Sequence, residues 1–296
     1  MAVQVHVAHS ATVKGAGVLA GGPYYCAQGA WWTAYYNCMA PGPWTPLPSI
    51  SFLHSEVEAF ARAGRIDAPA NLAGSRVWLF SGTHDRTVHP EVVSALRDFY
   101  ASFKADTALV ANQPAGHGMV VEDAKEACGA TASPYLNGCH YDAAGELLKH
   151  LLGPLSAPAP KETGRLIEFD QNEFASGKAL AISLDERGYA YVPAACETAE
   201  CRVHIAFHGC RQGAAFVGDA FVRGAGYNRW ADTNRLVIVY PQAVARKGAS
   251  LSSWSFAWNP EGCWDWWGYA GSDYATKSGA QVRAVSAMVE RLSAPR

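Results

Sequence analysis

Short β-rich apolar runs recur along the chain, and most are followed by a stretch with helical spacing. Gly15-Ala16-Gly17-Val18-Leu19-Ala20, Arg76-Val77-Trp78-Leu79-Phe80-Ser81 and Thr107-Ala108-Leu109-Val110 each predict a strand. Between the second and third, Val92, Val93, Leu96, Phe99 and Tyr100 fall on one face of a helix over residues 91–104. Further on, residues 202–207 and 235–241 predict strands on either side of a helix over residues 214–233. Val282, Val285, Val289 and Leu292 line one face of a last helix over residues 276–292, and residues 1–7 read as an opening helix. Strands alternating with helices at these lengths predict an α/β fold, with a mainly parallel sheet and helices on both faces.

One break interrupts this pattern. Gly153-Pro154-Leu155-Ser156-Ala157-Pro158-Ala159-Pro160 suits neither a helix nor a central strand. Residues 153–164 are therefore expected to link two halves, 1–152 and 165–296, of a single domain. With 296 residues, 49% hydrophobic and 17% charged, the chain can bury a sizeable core and does not resemble a fibre or a disordered tail. The net charge of -2 gives no electrostatic reason to expect nucleic acid or an anionic membrane as partner, and no apolar run is long enough to predict a spanning helix. A monomer is expected.

The eight cysteines group by proximity as Cys26 with Cys38, Cys128 with Cys139 and Cys196 with Cys201, leaving Cys210 and Cys263. Spacing alone leaves the pairing open, since eight cysteines allow about a hundred connectivities. The grouped pairs, with Cys210–Cys263 as the fourth, are the expected disulfides. Their even count suits an oxidising compartment, secreted or periplasmic. A zinc site is disfavoured because no Cys-x-x-Cys occurs. Residues 1–20 carry no export signal, so the reading expects an upstream segment.

The candidate chemistry lies just past two of the predicted strands. Ser81-Gly82-Thr83-His84-Asp85 precedes Gly116-His117-Gly118, and an acid followed by a histidine is the order in which an α/β-hydrolase places the last two members of its triad. Histidine can take a proton from a nucleophile near neutral pH and return it to the leaving alcohol, and Asp85 would hold its tautomer. A turn aspartate and a surface histidine are the plainer alternatives. The third member is missing, because no Gly-x-Ser-x-Gly elbow occurs anywhere in the chain. Ser10, at the end of the first helix, and Ser272, in Ala270-Gly271-Ser272-Asp273, are poor substitutes. His208-Gly209-Cys210, after a strand, reads as an oxyanion loop offering a backbone N–H to developing negative charge. In the usual hydrolase order that loop comes first. Moving residues 165–296 ahead of residue 1 restores the order with one gap, the elbow strand, so the chain reads as a circularly permuted α/β-hydrolase.

Two aromatic groups stand out. Trp254, Trp258, Trp264, Trp266, Trp267 and Tyr269 are too irregularly spaced for a helix or strand face and predict a loop that could wall an apolar substrate or simply pack in the core. Tyr24, Tyr25, Trp31, Trp32, Tyr35 and Tyr36 cluster around Cys26 and Cys38, predicting a disulfide-braced loop by the cleft.

Six segments together resemble one family: Met1-Ala2-Val3-Gln4, Ala20-Gly21-Gly22-Pro23-Tyr24-Tyr25-Cys26-Ala27, Ser81-Gly82-Thr83-His84-Asp85, Gly116-His117-Gly118-Met119-Val120, His208-Gly209-Cys210-Arg211-Gln212, and the stretch from Trp258 to Tyr269. They are similar to the poly(3-hydroxybutyrate) depolymerases with a circularly permuted catalytic domain. The resemblance implies an extracellular or periplasmic serine esterase that acts on a polyester or short hydroxyalkanoate oligomer, with no metal and no organic cofactor. It implies that the Cys210 amide donates to the oxyanion, and that a tryptophan, Trp264 or Trp266, lines the scissile ester, with Trp258 and Tyr25 nearby. It also implies a Gly-x-Ser-Ser-Gly elbow just ahead of Met1, whose next residue supplies the second oxyanion amide. The 296 residues taken alone are thus expected to be inactive. Two other readings share these motifs: a non-catalytic protein that binds polymer or another apolar ligand, and a hydrolase of small aryl or feruloyl esters.

Overall fold

The computed structural model describes residues 1–250 and 255–293. In chain order its helices are α1 (Ala2–Ala8), α2 (Trp31–Cys38), α3 (Ile50–Arg62), α4 (Pro90–Ser102), α5 (Ala143–Leu152), the short α6 (Ala214–Val217) and α7 (Ala220–Gly224), α8 (Tyr227–Asn234) and α9 (Ala280–Ser293). The strands are β1 (Gly15–Leu19), β2 (Arg76–Phe80), β3 (Asp106–Val110), β4 (Met119–Val121), β5 (Glu126–Ala127), β6 (Leu136–Gly138), β7 (Arg165–Asp170), β8 (Arg187–Val192), β9 (Arg202–Ile205), β10 (Leu236–Tyr240), β11 (Arg246–Ser250) and β12 (Ser255–Asn259). β1, β2 and β3 form a parallel sheet in that order. A second sheet runs β7-β8-β10-β9, with β9 and β10 parallel and the other pairs antiparallel.

Helices cover both faces because the strand sequences bury both. Along β2, Val77 and Leu79 enter one apolar cluster while Trp78 and Phe80 enter another. That alternation is the period of two of a strand covered on each side. The first cluster takes the inner faces of α1, α3, α4 and α9, and all five apolar residues that define the α4 stripe are buried in it. The second takes α5, α7 and α8, through Leu147, Leu148, Phe221, Tyr227 and Trp230.

Several expected elements come out differently. The helix expected over residues 214–233 is three short helices, because Gly218 (φ 61°) and Gly226 (φ 90°) adopt left-handed backbone that ends each preceding turn. Residues 31–38, expected as a loop, are α2. Trp258 lies on β12, paired with β11, rather than on a loop. The last helix starts at Ala280, and Leu292, at the end of its stripe, is exposed. Trp254 lies outside the described residues.

Disulfides join Cys26–Cys38, Cys128–Cys139, Cys196–Cys201 and Cys210–Cys263, and no cysteine is left free. Among the described residues, no helix is long and apolar enough to cross a membrane. Residues 153–164 form neither helix nor strand and are tied to α8 and its end, with the Ala159 N–H donating to Arg229 O and the Thr163 N–H to Asp232.

Candidate active site

Asp85 and His117 follow the C-terminal ends of two neighbouring parallel strands, β2 and β3. The loops that carry them are laced together: the Thr83 N–H donates to Gln113 O (2.9 Å) and the His84 N–H to Ala115 O (3.1 Å). The sequence separation of 32 residues therefore closes to a hydrogen bond of 2.8 Å between His117 Nδ1 and Asp85 Oδ2. The other carboxylate oxygen, Oδ1, accepts from the Thr87 and Val88 N–H groups at 2.8 and 2.9 Å. Burial pushes the Asp85 carboxyl up, but the hydrogen bond and charge of His117 and the two amides outweigh it and hold the group below its usual range. An ionised carboxylate only accepts, so Nδ1 carries the proton and Nε2 is left as the basic nitrogen of the neutral ring. Nε2 bonds to none of the described residues, and the side chain is 28% exposed.

The glycines beside His117 have a packing reason. A Cβ at Gly116 would lie 2.3 Å from Ala130 O, and one at Gly118 2.8 Å from Tyr135 O. Only glycine lets this loop press against the segment closed by Cys128–Cys139, where Thr131 Oγ1 accepts the His117 N–H at 2.9 Å.

The expected oxyanion loop is held from several sides, which sorts its three candidate residues. His208 is buried and both ring nitrogens are occupied: Nε2 accepts the Ala243 N–H (3.0 Å), so Nδ1 carries the proton and donates to Gly209 O (2.7 Å). Burial lowers its pKa to about 4, so the ring stays neutral. The Gly209 N–H donates to Gln212 Oε1 at 2.8 Å. The His208 ring and the Gly209 N–H are thus engaged in holding the loop. The Arg211 and Gln212 N–H groups donate to Glu261 O and Gly209 O. Among the described residues the Cys210 N–H meets no acceptor, which leaves it the unpaired amide of residues 209–212.

Trp264 is tied to the same loop. It is 5% exposed, packs edge-on against Phe207 with ring centres 5.1 Å apart, and donates from Nε1 to His208 O at 3.1 Å. Trp266, the other candidate, is half-buried and edge-on to Trp267. Trp258 is 52% exposed on the β11–β12 hairpin. Tyr25 stacks on Tyr274 (5.9 Å) and meets Phe60 of α3 edge-on (4.9 Å). No hydrogen bond ties Trp266, Trp258 or Tyr25 to Asp85 or His117.

Sequence reasoning did not single out Gln212. Its Oε1 fixes the Gly209 amide while its Nε2 donates to Tyr135 O at 2.8 Å, and Tyr135 O also accepts the Met119 N–H. One 4%-exposed side chain therefore joins the Cys210 loop to the loop behind His117. Gln212→Leu should strand the Gly209 amide and lower folding stability by about 1–3 kcal/mol. Urea unfolding with an unchanged m-value would register this, and a loss under about 0.5 kcal/mol, the range of ordinary surface changes, would remove Gln212 from the scaffold.

No family model matches the chain. Known proteins do. The chain is 45% identical over 301 positions to a poly(3-hydroxybutyrate) depolymerase of Delftia acidovorans, an alignment that covers 99% of the chain and 57% of that protein. It is 34% identical over 307 positions to a polyhydroxybutyrate depolymerase of Talaromyces funiculosus, covering 99% of the chain and 86% of that protein. The chain belongs to the polyhydroxybutyrate depolymerase family. Solved structures agree: the PHB depolymerase of Penicillium funiculosum aligns with a TM-score of 0.83 at 31% identity, and a serine-to-alanine variant of a PHB depolymerase complexed with R3HB trimer with 0.84 at 32%. Both alignments cover 97% of this chain and 90% of the other. The chain spans little more than half the length of the Delftia depolymerase.

Proposed function

We propose that this chain supplies the acid, the general base and one oxyanion donor of a serine-type carboxylic ester hydrolase that cleaves a polyester, or its short hydroxyalkanoate oligomers, through an acyl-enzyme. The observation that carries the reading is the 2.8 Å bond from His117 Nδ1 to a buried Asp85 whose other oxygen is already held by two amides. In this mechanism His117 Nε2 takes the proton of a serine as its oxygen attacks the ester carbonyl. The Cys210 N–H stabilises the oxyanion that forms, and His117 returns the proton to the leaving alcohol. Water, activated by the same nitrogen, then hydrolyses the acyl-enzyme. Trp266, not Trp264, is the tryptophan free to wall the substrate.

The serine is proposed to stand on an elbow after a strand between β9 and β1. Each of those strands ends its sheet with a single neighbour, and Ile205 and Phe207 at one edge pack on the cluster that holds Ala16 and Val18 at the other. Inserting one strand gives the order β7-β8-β10-β9-elbow-β1-β2-β3, a circularly permuted single-domain α/β-hydrolase whose halves meet at residues 153–164. Four disulfides support secretion or a periplasmic location.

Assays of two purified chains on p-nitrophenyl butyrate and polyhydroxybutyrate test this. One chain is the 296 residues, the other the same residues preceded by their own upstream reading frame with a Gly-x-Ser-x-Gly elbow. The longer chain is expected to turn over both substrates and the shorter one to show only a small residue. Robust turnover by the shorter chain, abolished by His117→Ala, would overturn the placement of the nucleophile and direct attention to Ser10 and Ser272. If both chains were inert, the esterase reading would fall and polymer binding would remain.

A further inference from the structure

Between β12 and α9 the chain forms neither helix nor strand, so its backbone groups need partners other than a sheet ladder. One side chain supplies them at Cys263. Asn259, the last residue of β12, is fully buried; its Oδ1 accepts the Cys263 N–H at 2.9 Å and its Nδ2 donates to the Cys263 carbonyl at 2.8 Å. A single amide thus grips both backbone groups of one residue. The grip is itself braced. The Tyr269 hydroxyl donates to the same carbonyl at 2.7 Å and accepts from Asn259 Nδ2 at 3.1 Å and from Gln281 Nε2, on α9, at 3.0 Å. Its proton and both lone pairs are therefore used.

The position of Cys263 matters because of the residue bonded to it. Cys263 is joined to Cys210, with Cα atoms 4.2 Å apart. In the Cys210 loop, hydrogen bonds hold the neighbours: Trp264 holds His208, Gln212 holds Gly209 and the Glu261 carbonyl holds the Arg211 N–H. Cys210 itself is tied across by the disulfide. The direction of its N–H therefore depends on where the Cys263 backbone stands, and Asn259 fixes that backbone from both sides.

We propose that Asn259 is a positioning residue for ester hydrolysis, which sets the aim of the Cys210 N–H at the oxyanion through the Cys263–Cys210 bridge. The proposal deepens the esterase reading and rests on it. Asn259 touches no substrate in this scheme. Its effect belongs to the tetrahedral stage, when charge develops on the carbonyl oxygen, so it acts on kcat and leaves the ground-state ester bound as before.

The test uses the elbow-bearing chain and p-nitrophenyl butyrate. Asn259→Ala removes the grip, and the nearly isosteric Asn259→Asp keeps the acceptor for the Cys263 N–H but replaces the donor with an acceptor. Each is expected to lower kcat at least about tenfold, since a misplacement of about 1 Å at a reacting centre costs on the order of a hundredfold, with KM within about twofold of the parent. Near-ultraviolet circular dichroism should show the fold retained. The same substitutions are then made in the Cys210→Ser/Cys263→Ser chain at a temperature where it stays folded. With the bridge cut, the further loss should be under about threefold, because the two changes act along one path. Should the combined variants fail to fold, butylboronic acid gives the same answer in the disulfide-bonded chains. Its tetrahedral adduct with the serine puts an oxygen where the oxyanion forms, so its inhibition constant should rise in step with the fall in kcat. A kcat within about threefold of the parent in both Asn259 variants would overturn the proposal. So would an equal loss with and without the disulfide, or a fall in kcat at unchanged boronate affinity. Each of these leaves the esterase reading standing, whereas an inert elbow-bearing parent would bring that reading down and the role of Asn259 with it.

Discussion

Asp85→Asn, made in the chain that carries the serine elbow, is expected to lower kcat by about four orders of magnitude with little change in KM. The fold should survive, because the oxygen that accepts from Thr87 and Val88 is kept. What changes is the atom facing His117 at 2.8 Å, an acceptor that becomes an amide donor. The ring then turns Nδ1 into the acceptor and carries its proton on Nε2, where it cannot receive one from serine. A second consequence concerns pH. The folded state holds the Asp85 carboxyl below its usual range, so the pair's contribution to stability is present above the unfolded carboxyl pKa of about 4 and is lost as pH falls through the folded value. Asp85→Asn should flatten that acid limb. Steady-state kinetics and denaturant midpoints across pH report the two effects, and a kcat loss below about tenfold would leave Asp85 without an orienting role.

The parts of this molecule legible in its sequence are those written in short-range pattern. β2 and the α4 stripe follow directly from apolar spacing, and Asp85 and His117 stand out because each sits a few residues past such a run. α2 was illegible for the opposite reason. Its large apolar side chains face solvent, and its buried side is little more than Ala34 and Cys38, so no inward stripe marks it as a helix. The 214–233 segment carries its own breakers, Gly218 and Gly226, but a lone glycine in an apolar stretch is often tolerated, so the sequence does not mark either as a helix end. The burial of Trp264 was illegible too, since it depends on contacts with residues 207 and 208 more than fifty positions away. The same is true of Gln212, whose partners Gly209 and Tyr135 are brought together only by the fold.

Removing the Cys210–Cys263 disulfide should have a double effect that separates it from the other bridges. The bond closes a loop with a sequence separation of 53, and loop-closure entropy of that length is worth about 4 kcal/mol, against about 2 kcal/mol for Cys196–Cys201 with its separation of 5. Cys210→Ser/Cys263→Ser is therefore expected to cost about twice the stability lost by Cys196→Ser/Cys201→Ser, roughly 4 kcal/mol against 2. The two also differ in what they hold. Cys196–Cys201 lies at the start of β9, whereas Cys210 carries the amide proposed to meet the oxyanion. The loop would keep its Gln212, Trp264 and Glu261 contacts, so the amide should lose aim rather than vanish. In the elbow-bearing chain this predicts a kcat at least about tenfold lower for the Cys210–Cys263 variant, a fraction of the 10²–10³ lost when an oxyanion donor is deleted outright. The Cys196–Cys201 variant should keep its kcat at temperatures where it stays folded. Equal kcat in the two variants would mean that the disulfide stabilises the chain without positioning the Cys210 amide.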